Sequence, residues 1–176
     1  MSTRPSSGTS WVRLNVVGTA LFTLVVLMGV AFRDERAAQV LVGATSMALF
    51  AIGAATGLWA YVAALERSRS DEIGVANLYL LTGPTAPRRV KRTMAAALAL
   101  QVVAAFAGAI VGAVGLRGSE VNALAFGVLV PMFGIGLNGI WAVRHGTFGQ
   151  RIERSVQPSV QPSVQPSVQP SDHPID

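Results

Sequence analysis

Apolar residues in this chain are gathered into four long runs, separated by short stretches that hold nearly all the charge. The first run, 14–32, reads LNVVGTALFTLVVLMGVAF; Trp11 stands just ahead of it and RDER closes it. The second, 37–65, carries Trp59 and Tyr61 near its far end and closes in ERSRSDE. The third covers 93–116 and ends in RGSE; the fourth covers 121–143, with Trp141 at its exit and Arg144 just beyond. Each run reaches the roughly 18–20 residues that cross a bilayer's hydrocarbon core. Backbone groups in lipid have no water to bond to, so each run is expected to be helical. The expected fold is all-α: an integral membrane four-helix bundle spanning 14–154, after an N-terminal tail of 1–13.

The stretches between the runs differ in character. The central loop, 66–92, is long enough for structure of its own. In SDEIGVANLYLLT, Ser70 is placed to cap a short helix with Asp71 and Glu72 in its first turn, where the helix dipole favours anions. Ile73, Ala76, Tyr79 and Leu80 give that helix an apolar face, and Gly83-Pro84 ends it. Pro87 suits the first turn of the third span. The segment 155–176 opens with four copies of SVQP. Proline at every fourth position forbids a helix, and nothing in the segment can form a core. An extended, disordered tail is expected there, and its P-x-x-x-P spacing is not the P-x-x-P of polyproline ligands.

Composition sharpens the class: 51% of residues are hydrophobic and 13% charged, about half the charge of a soluble domain. The formal charge of +5 is carried by thirteen arginines and Lys91. In a membrane protein such a balance points to anionic lipid head groups rather than to nucleic acid. The positions of the cations orient the bundle. Two fall before the first run, six in the central loop and three after the fourth run, against two and one in the two short hairpins. The positive-inside rule then puts both termini and the central loop in the cytoplasm of a bacterial plasma membrane. GVA at 29–31 resembles a signal-peptidase site, but the apolar core before it is longer than the ~7–15 residues of a signal peptide.

Candidate chemistry is sparse. With no cysteine, thiolate catalysis, thiolate zinc sites and iron–sulfur clusters are excluded. No Asp, Glu, Lys, Arg or His lies within the core of a run, whereas proton relays and ion-coupled transport depend on such residues. His145 is interfacial and His173 lies in the tail, so haem ligation is not expected. GIGLNG at 134–139 matches a dinucleotide pattern but lies inside an apolar run with no strand before it. No cofactor, metal or enzymatic activity is therefore expected. What remains is packing chemistry. Gly53/Gly57 and Gly108/Gly112 form G-x-x-x-G pairs, and Gly134 adds to them; such residues let helices approach closely, within one chain or between two. Pro131 is expected to kink the fourth span by freeing the carbonyl of Gly127. Gln101 and Asn138 are the amides deep enough for hydrogen bonds between helices, while Asn15 and Asn122 fall near span ends. Arg88, Arg89, Lys91 and Arg92 are expected to snorkel toward lipid phosphates or to meet a partner.

The stretches LYLLTGPTAPRRVKR and LAFGVLVPMFGIGLNGIWAVRHGTFGQR resemble small multispanning membrane proteins of actinobacteria. The resemblance covers about 71–151 and implies an inner-membrane location; it carries no catalytic residues across. Two functional classes fit: a non-enzymatic accessory or scaffold subunit of a larger membrane complex, or a small transporter or channel subunit acting as an oligomer. The first expects a larger membrane-protein partner, and the second a homo-oligomer with a wet path past Gln101 and Asn138.

Overall fold

The computed structural model describes residues 7–69, 71–114 and 123–150. Ser70, the RGSE hairpin with Asn122, and the SVQP tail lie outside the described residues, as do the expectations placed on them. The helices are α1 (Ser7–Ala31), α2 (Arg36–Arg67), α3 (Val75–Tyr79), α4 (Arg88–Ala113) and α5 (Pro131–His145). A 3-10 segment, Ala123–Leu129, leads into α5, and two-residue strands β1 (Asp71–Glu72) and β2 (Gly149–Gln150) pair antiparallel. Four segments are long and apolar enough to cross a membrane: 8–31, 36–67, 88–113 and 123–145. The protein is an integral membrane four-helix bundle.

The fourth span is the axis of the bundle, with 56% of its window buried against 28–39% for the other three. Segment α5 lies along α2, the 3-10 segment along α4, and α1 touches all of them. Phe22, Val26, Val42, Leu124, Phe133 and Leu137 are among the side chains that form the shared core. Leu21, Leu24, Leu58, Val62, Val103 and Ile110 point outward, as a lipid-facing surface requires.

Where the sequence predicts a kinked helix, the chain ahead of Pro131 is a 3-10 segment and Pro131 opens a separate α-helix. Pro131 has no N–H to offer the Gly127 carbonyl, but that carbonyl is not left free, because Val130 N donates to it at 3.0 Å. Phe133 N then donates to Val130 O at 2.8 Å. The tighter helix also lengthens the span. Seven residues rising ~2 Å each and fifteen rising ~1.5 Å bring the fourth span close to the reach of the longer α4.

A second difference concerns the central loop. Instead of a helix starting at Ser70, Asp71 and Glu72 pair with the segment after α5, and α3 begins at Val75 behind Gly74. Asp71 is drawn away from any helix dipole by Arg67, whose Nε lies 2.6 Å from its carboxylate. Leu78 is buried and α3 rests on α5. Leu81, just after α3, adopts φ 54°, which costs a non-glycine residue roughly 1–2 kcal/mol; its side chain is 1% exposed, and that burial holds the turn. Thr147 closes the layer, its N–H donating to Thr85 O at 3.1 Å and its hydroxyl to Pro84 O at 2.8 Å. Trp141 Nε1 donates to Gly8 O at 3.1 Å, which brings the start of α1 and the end of α5 to the same charged end.

Candidate functional site

Asn15, Thr19 and the Gly134 N–H converge on one side chain at mid-membrane depth. Gln101 lies halfway along α4 and is fully buried. Its Nε2 donates to Asn15 Oδ1 at 3.1 Å and to Thr19 Oγ1 at 2.6 Å. Its Oε1 accepts from Gly134 N at 3.2 Å. The last bond explains why an amide is needed here. Gly134 stands in the first turn of α5, where helix N–H groups have no partner within the helix. Pro131 puts that helix start inside the bundle, where an orphan donor is costly. Gln101 supplies the missing acceptor from a neighbouring span, and Asn15 and Thr19 absorb its two protons. Thr19 in turn donates to Asn15 O at 2.7 Å.

Asn138 is not part of this cluster. It is buried one turn further along α5, and its Nδ2 donates to Tyr79 O at 2.9 Å, which ties α3 to the bundle. The Gln101–Asn138 pair raised by the sequence is therefore two separate contacts. Asn15, set aside as terminal, belongs to the cluster instead. With the span placed at 14–32 it sits at the margin; α1 starts at Ser7, which carries Asn15 two turns inside. The i, i+4 spacing of Asn15 and Thr19 across Gly18 was the available signal. Asn15 Nδ2, Asn138 Oδ1 and the hydroxyl of Ser46 are buried without hydrogen-bond partners.

The glycines form a seam within the chain. A Cβ on Gly53 would overlap the backbone of Phe133, and one on Gly136 would overlap the Gly53 carbonyl. Gly57 faces Met132 and Gly136, so the α2 pair packs on α5. At Gly134 a Cβ would crowd the Gln101 amide, and at Gly108 it would reach Val26 at 3.0 Å. Gly112 is half-buried near the end of α4.

At the charged end, Arg88, Arg89 and Arg92 are exposed, whereas Lys91 folds back to donate from Nζ to Gly83 O at 2.7 Å. The cations that organise this end are others. Arg67 pairs with Asp71, donates from Nη1 to Val143 O at 3.0 Å, and lies 5.0 Å from the Phe148 ring centroid. A cation at the carbonyl end of α5 is favoured by the helix dipole. Arg144 stands over both Trp11 and Trp59, at 5.4 and 4.8 Å from their centroids, so one guanidinium joins α1, α2 and α5. Tyr79 donates from its hydroxyl to Gly57 O at 3.0 Å. Burial, with a smaller contribution from Tyr61, raises its phenol above the ordinary value and keeps that donor protonated.

A crevice of about 500 Å³ opens at the same end between α1, α4 and α5, with Arg89, Thr93 and His145 in its wall. Among the described residues, no three His, Asp or Glu side chains gather as a metal site would need. The arrangement offers hydrogen bonding, cation–π contact and charge.

A family model, the PT disordered repeat, matches residues 153–176, in keeping with the reading of the tail from its composition. Comparison with curated proteins and with solved structures returned no match.

Proposed function

We propose that this protein is a non-enzymatic accessory or scaffold subunit of a larger assembly in a bacterial plasma membrane, with its charged end in the cytoplasm. One observation carries the reading. Every polar atom of the deepest amide, Gln101, is engaged by Asn15, Thr19 and Gly134, so mid-membrane polarity serves to hold helices together. The broad apolar faces of α1, α2 and α4 suit contact with lipid or with other membrane helices, and the excess of cations at the charged end supports the orientation. A transporter or channel subunit is the competing reading, favoured by the unpartnered Asn15 Nδ2 and Asn138 Oδ1, which a file of water or a solute could satisfy.

The absence of cysteine makes the test clean, because each introduced thiol is unique. Single cysteines at Val12, Thr19 and Asn138 are exposed to a membrane-impermeant maleimide in sealed vesicles of both orientations. The accessory reading expects Thr19→Cys and Asn138→Cys to stay unlabelled while Val12→Cys reacts from the charged side. Labelling of the two deep positions would establish a wet path and replace this reading with transport. Co-purification of a stoichiometric membrane partner from the native host in mild detergent is the positive counterpart.

A further inference from the structure

The crevice at the charged end continues into the membrane. Its mouth is walled by Arg89, Val90 and Thr93 of α4, by Val12 of α1, and by Trp141 and His145 of α5. Directly below, a groove of about 500 Å³ runs between α1 and α4, lined by Val16, Ala20, Arg92, Ala96 and Leu100. Thr93 borders both. On α4, residues 89, 92, 93, 96 and 100 follow the helical spacing of one face, so a single stripe passes from cations to small apolar side chains. Among the described residues, no carboxylate stands in either lining. His145 Nε2, in the wall of the mouth, is shielded and has no hydrogen-bond partner, and the start of α4 adds the positive end of a helix dipole.

We propose that this continuous slot holds one anionic glycerophospholipid, with its phosphate at Arg89 and His145 and an acyl chain along Ala20, Ala96 and Leu100. Charge complementarity selects the head group, since two arginines line the slot and no acid among the described residues neutralises them. The small side chains at Ala20 and Ala96 leave room for a chain where most outward positions on α1 are large. The groove lies open to the bilayer rather than to water, and only an amphiphile fills both halves. This goes beyond a diffuse attraction of the basic cluster for head groups, because Arg88 belongs to the same cluster yet lines neither cavity. It does not depend on which side of the membrane the charged end faces, nor on the accessory role.

Native mass spectrometry of the full chain, with phosphatidylglycerol or phosphatidylcholine titrated into the detergent, reads the site directly. One phosphatidylglycerol should be retained in preference to phosphatidylcholine. Arg89→Gln should reduce its retention about tenfold, as the loss of one charge-assisted contact implies, while Arg88→Gln removes the same charge with less than about a twofold effect. Ala96→Phe, at a position already facing lipid, should block the chain groove and lower retention without altering charge or tryptophan fluorescence. Equal losses for Arg88→Gln and Arg89→Gln would overturn the proposal in favour of diffuse attraction. So would full retention in Ala96→Phe, or displacement of the lipid by glycerol phosphate alone, which would leave a simple anion site.

Discussion

Replacing Gln101 with methionine keeps the volume of the side chain and deletes its hydrogen bonding. The bonds to Asn15 and Thr19 are each worth about 0.6–1.7 kcal/mol between membrane helices. Gly134 N–H, which donates to Oε1, is then left buried, at about 1–3 kcal/mol. The sum is about 2–6 kcal/mol, and the gain from placing a thioether in an apolar interior moves the expectation toward the lower half. The chain should still insert, since α4 loses no hydrophobicity. Unfolding in mixed micelles with increasing dodecyl sulfate measures the effect, followed by the fluorescence of Trp11, Trp59 and Trp141, all of which lie in contacts at the charged end. Thr19→Val removes one partner and should cost less. Combined with Gln101→Met it should cost clearly less than the sum of the two, because the bond they share is lost only once and Thr19 keeps only its bond to Asn15 O as a separate contribution. A loss below about 0.5 kcal/mol for Gln101→Met, smaller than any one bond is assigned, would refute the idea that this amide caps α5. Fully additive effects in the double variant would refute the network.

The α2–α5 seam makes a matched comparison possible. Gly53→Ala should destabilise the bundle by about 1–3 kcal/mol or more, as overpacking does, toward the upper end because its Cβ would meet fixed backbone, whereas Gly43→Ala, with nothing within 4 Å of its Cβ, should be neutral in the same unfolding assay. Reporter fusions after Arg33 and after Pro84 should report outside and inside respectively, and alanine at Arg88, Arg89, Lys91 and Arg92 should weaken that bias; opposite signals from the two fusions would reverse the orientation. Tyr79 provides a pH signature. Its phenol is raised in the folded protein, so the folded state holds the proton more tightly, and stability is fully present below pH 10.0 and declines as pH climbs above it. Tyr79→Phe should remove that alkaline slope; an unchanged slope would place its origin elsewhere.

Much of the fold was legible because bilayer thickness imposes a coarse rule that a run of apolar residues either meets or does not. The four spans, the shared end of the start of α1 and the end of α5, and the close approach of Gly53 and Gly57 all follow from the number and length of the runs and from side-chain size. The start of α1 was harder to read, since Ser7, Gly8 and Thr9 are polar enough to pass for a tail; Trp141 and His145 pack against Gly8 from α5, a contact no local pattern announces. The roles of Asn15 and Gln101 were hidden for a related reason. An amide in an apolar run says that a partner exists, but the partner here is a backbone N–H opened by Pro131 on another span. Arg67 was legible as one more cation at a span boundary. That it reaches Asp71 and the last carbonyls of α5 depends on β1 pairing with β2, and two-residue strands leave no periodicity to detect. The 3-10 segment has the same character, because a proline warns of a break without specifying how the chain before it compensates.

The borrowed cap on α5 bears on how the protein is made. A nascent chain delivers α4 to the membrane before the fourth span, so the acceptor at Gln101 is in place when Gly134 arrives. In isolation the fourth span would enter lipid with an open backbone donor at its centre, an obstacle to lateral release from the insertion machinery. The last two spans should therefore leave the translocon together as a hairpin. Glycosylation-site mapping of truncated chains would detect this as poor insertion of the fourth span when α4 is replaced by a plain polyleucine helix.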